Sequence, residues 1–112
     1  MTPKRLVEIS IHLPLYYNPT GKGRRRRIEV TKLAQTYREV AARFGGYSLF
    51  KHVEGVWIDQ EGAVYRDIHH VLFVLAADTA ANRRWVKAYK KVLAERFEQK
   101  EIFITLSNVR RL

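Results

Sequence analysis

The chain is predicted to fold as an α+β protein, a ferredoxin-like two-layer sandwich with both helices on one face of a four-stranded antiparallel sheet. Three observations lead there. The hydrophobic period alternates between two residues and 3.6 residues, so that the elements run β-α-β-β-α-β. Both helical stretches are amphipathic, each with one apolar stripe to bury. The connections are short, and right-handed crossovers then leave this sandwich as the simplest arrangement. It makes the first and third strands central and leaves the second sheet face uncovered by the chain itself.

Lys4 to Leu13 alternates strictly. Val7, Ile9, Ile11 and Leu13 share one face, and Glu8, Ser10 and His12 share the other. Pro14 and Pro19 bracket the exit, because neither can donate a ladder hydrogen bond. Residues 16–27 form a basic loop, dense in turn formers at Asn18-Pro19-Thr20-Gly21-Lys22-Gly23 and ending in the run Arg24 to Arg27.

From Ile28 the period is helical, with Val30, Leu33, Ala34, Tyr37, Ala41 and Phe44 three or four apart. Gly45-Gly46 ends this helix, since glycine adopts the left-handed conformation that helix ends favour. Tyr47 to Ile58 and Ala63 to Ala77 then read as a hairpin around the turn Asp59-Gln60-Glu61-Gly62. Gly55 is expected to interrupt its first strand. The second strand ends in an apolar run that suits an interior position.

Asp78 or Thr79 caps the second helix. Ala81, Trp85, Val86, Ala88, Tyr89, Val92, Leu93 and Phe97 occupy one half of its wheel, and Arg83, Arg84, Lys87, Lys90 and Lys91 crowd the opposite arc. Arg96 falls on the apolar side and is expected to extend its head to solvent. Ile102 to Leu106 is the last strand.

The 112 residues suit a single domain, 1–112. There is no cysteine, which excludes disulfides, thiolate zinc sites and cysteine nucleophiles. With 46% hydrophobic and 29% charged residues the chain can bury a core. Its longest apolar run, Val71 to Ala77, falls far short of the roughly 20 residues a membrane span needs. Without a continuous signal-peptide core, a cytoplasmic location is the expectation. The net charge of +10 favours polyanionic partners, nucleic acid among them.

Several short motifs carry a resemblance. They are Phe44-Gly45-Gly46, Gly55-Val56-Trp57, Gly62-Ala63-Val64-Tyr65-Arg66-Asp67 and Phe97-Glu98-Gln99-Lys100-Glu101-Ile102-Phe103-Ile104. Residues 28–106 thereby resemble a family of short bacterial α+β proteins of unknown function. The resemblance implies a fold and no catalytic residues; the basic loop lies outside it.

Four constellations are candidates for function. The loop places Lys22, Arg24, Arg25, Arg26 and Arg27 within six residues, beside Tyr16 and Tyr17, and without those five cations the net charge would be +5. Arginine forks suit phosphate, and tyrosines stack on bases. No Walker spacing is present. The arc Arg83, Arg84, Lys87, Lys90 and Lys91 either tracks a phosphate backbone or is simply a solvated face.

Glu8 and His12 share the uncovered sheet face. The third strand adds either Asp67 and His69 or Arg66 and His70 to it, depending on register. A cluster of Glu8, His12, Asp67 and His69 suits acid–base chemistry or a metal, but it matches no ligand motif, and no metal or cofactor is expected. Trp57, Tyr47, Tyr65 and Phe73 read as core or sheet-interface residues. The first strand lacks the aromatics of an RNA-recognition module.

The leading expectation is a non-catalytic basic module that contacts a polyanion through the loop and the second helix, and forms a homodimer through the open sheet face. The alternatives are a small homo-oligomeric enzyme using His12 on the open face, and an assembly or regulatory subunit with no ligand of its own.

Overall fold

The computed structural model describes residues 5–19 and 25–112. Its elements are β1 (Leu6–Pro14), α1 (Val30–Phe44), β2 (Ser48–Ile58), β3 (Val64–Ala77), α2 (Ala80–Arg96) and β4 (Ile104–Val109). The expected β-α-β-β-α-β order is present. One antiparallel sheet has the order β2-β3-β1-β4, so β1 and β3 are the central strands.

The core lies between the sheet and the helices. Val7, Ile9, Ile11 and Leu13 of β1 pack with Leu72, Val74 and Ala76 of β3, under Leu33 and Val40 of α1 and Tyr89, Leu93 and Phe97 of α2 and its end. The helices contribute narrower stripes than their periodicity predicts. Val30 is 73% exposed, and Ala81, Ala88 and Val92 face solvent too. Thr36, absent from the predicted stripe, is fully buried and donates its hydroxyl to Lys32 O at 2.9 Å.

Local signals hold at the turns. Gly45 has φ 84°, and its N–H donates to Ala41 O, ending α1. Gly62 has φ 85°, and Asp59 Oδ1 accepts from the N–H groups of Glu61 and Ala63. Thr79 caps α2 by accepting from Asn82 N at 3.1 Å.

Four expectations need correction. The irregularity in β2 falls between Phe50 and Val53, where His52 has φ 56°, while Gly55 pairs regularly with Asp67. The last strand begins at Ile104, and Ile102 is buried just before it. Arg96 does not reach solvent. Its guanidinium lies between the helices, 2.8 Å from Glu39 Oε1 and donating to Thr36 Oγ1 at 2.8 Å, because these partners satisfy the charge inside. Finally, the core alternative for the aromatic set fails: Trp57, Tyr65 and Tyr47 are exposed, and only Phe73 is partly covered.

The last correction has a geometric cause. The 14 residues of β3 span about 46 Å at strand rise, whereas the 17 of α2 span only about 26 Å. The helices therefore cannot cover the sheet. The free ends of β2 and β3 project as a two-stranded arm, consistent with a 59 Å long axis in a molecule only 22 Å thick. Val56, Ile58, Val64 and Ile68 are exposed on the arm's helix side, and Trp57 and Tyr65 stack on its other side with ring centroids 4.1 Å apart.

Candidate functional site

The basic loop is tied down where it is described. Tyr16 and Arg27 form an isolated bridge, Tyr17 N donates to Arg26 O, and Ile28 N donates to Leu15 O. The Arg26 guanidinium lies 4.0 Å from the Tyr17 ring centroid, 3.2 Å from Glu29 and 3.5 Å from Glu98. Tyr17 also donates to Glu29, which holds that carboxyl below its usual range. Arg26 therefore clamps the loop neck to the end of α2, and its charge is compensated. Arg25 and Arg27 are exposed without ion pairs among the described residues. Lys22 and Arg24 lie outside the described residues.

The arc on α2 divides. Arg83 donates twice to Asp78, at 2.7 and 3.0 Å, and so is spent on closing the helix start. Lys87, Lys90 and Lys91 line a cleft of about 640 Å³ together with Lys100, which sequence reasoning missed because it follows the helix. Ala88, Ala94 and Ile102 form the apolar floor. Glu101 is the one carboxylate in the lining and pairs with Lys90 at 2.8 Å. Lys87, Lys91 and Lys100, like Arg84 outside the cleft, have no ion pair among the described residues.

On the open sheet face the register resolves the third strand. Leu13 lies opposite His70 on the helix side, and Pro14 opposite His69, so Asp67 and His69 join His12 on the open face. The rings of His12 and His69 are 5.0 Å apart between centroids, and Phe103 meets His12 edge-on at 5.1 Å. His69 Nδ1 is buried 3.3 Å from Asp67 Oδ2, too poorly aligned for a hydrogen bond. Burial lowers the pKa of His12, the neighbouring His69 lowers it further, and Asp67 opposes both. Glu8 is not part of this group. It sits opposite Leu75 and Ser107, four residues and roughly 13 Å along β1 from His12.

These side chains border a second cleft of about 620 Å³, whose walls include His12, Asp67, His69, Trp57, Glu101 and Phe103. Gly55 lies opposite Asp67 on the neighbouring strand. A Cβ at that position would meet His69 Cε1 at 3.4 Å. Beyond the cleft the open face is mixed: Phe50 and Phe73 lie edge to face at 5.0 Å with Leu75 exposed nearby, while Glu8, Ser10, Thr105 and Ser107 make its β1–β4 side polar. His70, by contrast, is buried beneath α1 and hydrogen-bonded through Nδ1 to the Tyr37 hydroxyl at 2.8 Å.

With this geometry the chain is an α+β protein of ferredoxin-like topology whose sheet keeps one bare face and one projecting arm. Solved structures share the fold. CutA1 from Oryza sativa is similar at a TM-score of 0.62 and 9% identity, covering 96% of this chain and 83% of that one. The divalent ion tolerance protein CutA1 from Ehrlichia chaffeensis is similar at 0.61 and 5% identity, covering 99% and 87%. At such identities the likeness is one of fold. No protein-family model matches the chain, and no curated protein matches it significantly. Among the described residues, no helix is long and apolar enough to cross a membrane.

Proposed function

We propose that this chain is a non-catalytic basic binding module that holds a polyanion against α2 and operates as a homo-oligomer. What supports the first half is one observation: Lys87, Lys90, Lys91 and Lys100 ring a single cleft that contains only one carboxylate. Lysine is a compact, mobile point charge suited to phosphate oxygens. Three of the four have no counter-charge of their own among the described residues, so their attraction is available to a ligand.

Binding of a short labelled DNA duplex and a single strand, followed by fluorescence anisotropy, tests this. Three neutralised phosphates correspond to roughly a 40-fold loss of affinity between 50 and 200 mM salt, through counterion release. Changing Lys87, Lys91 and Lys100 together to Gln should remove most of that dependence. Salt-independent binding, or full affinity in the triple variant, would sink the reading. A parallel variant with Arg24 to Arg27 changed to Ser reads the loop's share.

The arm and the apolar part of the open face support self-association. An isolated two-stranded hairpin is marginal in water, and an apolar surface on both of its faces asks for a partner. Ile58 and Val64, paired beside the hairpin turn at the arm's tip, are 65% and 55% exposed. Sedimentation equilibrium of the wild type should give more than one copy per particle, and Ile58→Lys with Val64→Lys should give a monomer. The name of the Ehrlichia protein refers to divalent ions. Among the described residues here, no three His, Asp or Glu side chains stand close enough to hold one, so that reading is not extended to this chain.

A further inference from the structure

The cleft on the open sheet face differs in character from the rest of this basic protein. Its two carboxylates are Asp67 and Glu101, and no Lys or Arg lines it. Glu101 is compensated by Lys90 at 2.8 Å. Asp67 has only the His69 imidazole beside it, at 3.3 Å, and is about half exposed. His12 carries no opposing charge near neutral pH, because burial and His69 lower its pKa. Trp57, stacked on Tyr65, and Phe103, packed against His12, add aromatic surface to the walls. Hence the cleft offers one uncompensated carboxylate, neutral imidazole and π faces, within a volume typical of small-molecule sites.

We infer that this cleft is a binding site for a small planar organic cation of the amidinium or guanidinium class, anchored by Asp67 and stacked against Trp57 and Phe103. A planar N–H fork matches a carboxylate in two parallel hydrogen bonds. A cation of delocalised charge is also the kind that aromatic faces attract, and it sheds water more readily than an ammonium does. The site shares no cation with the proposed lysine surface beyond the Lys90–Glu101 pair at its border, so the two readings stand or fall separately.

The test uses the full chain with Trp85→Phe, which leaves Trp57 as the single tryptophan. Benzamidine is titrated while Trp57 fluorescence is read, with benzyl alcohol as a neutral analogue of similar shape and magnesium chloride as an inorganic cation. Saturable quenching by benzamidine alone is expected, weakened roughly tenfold or more by Asp67→Asn, as the loss of a charge-assisted pair implies. In two-dimensional NMR of the wild type, benzamidine should shift the Trp57 indole N–H and the backbone amides of His12 and His69, while Lys87→Gln leaves the titration unchanged. No saturation by about 10 mM, equal binding of benzyl alcohol, the same response to magnesium, or undiminished affinity in a folded Asp67→Asn variant would each overturn the assignment.

Discussion

Replacing Arg96 by methionine removes the buried cation that links the two helices. Its guanidinium donates to Thr36 Oγ1 at 2.8 Å and to Glu39 Oε2 at 3.1 Å, while the Tyr89 hydroxyl donates to Glu39 Oε1 at 2.9 Å. The Arg96 side chain is 11% exposed and that of Glu39 is 37% exposed. That difference sets the size of each loss. After Arg96→Met, the Glu39 carboxylate keeps Tyr89 and rehydrates, so the cost is about 1–2 kcal/mol once screening is allowed for. After Glu39→Ala, the guanidinium stays among buried groups without a counter-charge, and about 3 kcal/mol is expected. Urea unfolding at one fixed protein concentration reads both values. The double variant should lose less than the sum of the single losses by about 1 kcal/mol, because the second change removes a group already stranded. A larger loss for Arg96→Met than for Glu39→Ala, or two losses that simply add, would contradict this account of the pair.

Other consequences follow from single positions. Burial lowers the pKa of His70, with His52, Lys51, Arg27 and His69 acting in the same direction, and the pKa of His12 is lowered as well. Both histidines therefore bind protons less readily folded than unfolded. Stability should be full above about pH 6.5, the ordinary histidine value, and fall as the pH drops below it. Melting temperatures between pH 8 and pH 5 check this, and a flat profile would contradict it. Gly45→Ala places a Cβ at φ 84°, and a loss of about 1 kcal/mol is expected in denaturant unfolding even though nothing crowds the site. His52→Gly relieves a left-handed residue at the β2 irregularity, so it should leave stability level or slightly raised. A loss above about 1 kcal/mol would mean that the His52 ring, 5.3 Å from that of His70, matters more than its backbone.

Much of the candidate surface was readable one element at a time. The α2 arc was visible from periodicity, but Lys100 was not, since it enters the cleft from the segment after the helix. His12 and the pair Asp67/His69 were candidates because of their residue types. Their union awaited the pairing of Pro14 with His69, since a one-residue slip would have presented Arg66 and His70 instead. Arg96 and the core alternative for Trp57 depart from the sequence expectation for opposite reasons. Arg96 found buried partners on the other helix, and Trp57 lies on an arm longer than the helices that would have covered it.

Periodicity, turn glycines and capping residues act over a few neighbouring positions, so the amino-acid order alone determined the six elements, their sequence and the two-layer class. Strand register, the reach of the β2–β3 arm and the compensation of each charge depend on groups far apart in the chain. Only three-dimensional packing brings those groups within a few ångströms, and it alone decided which cations stay available and which histidines share a cleft.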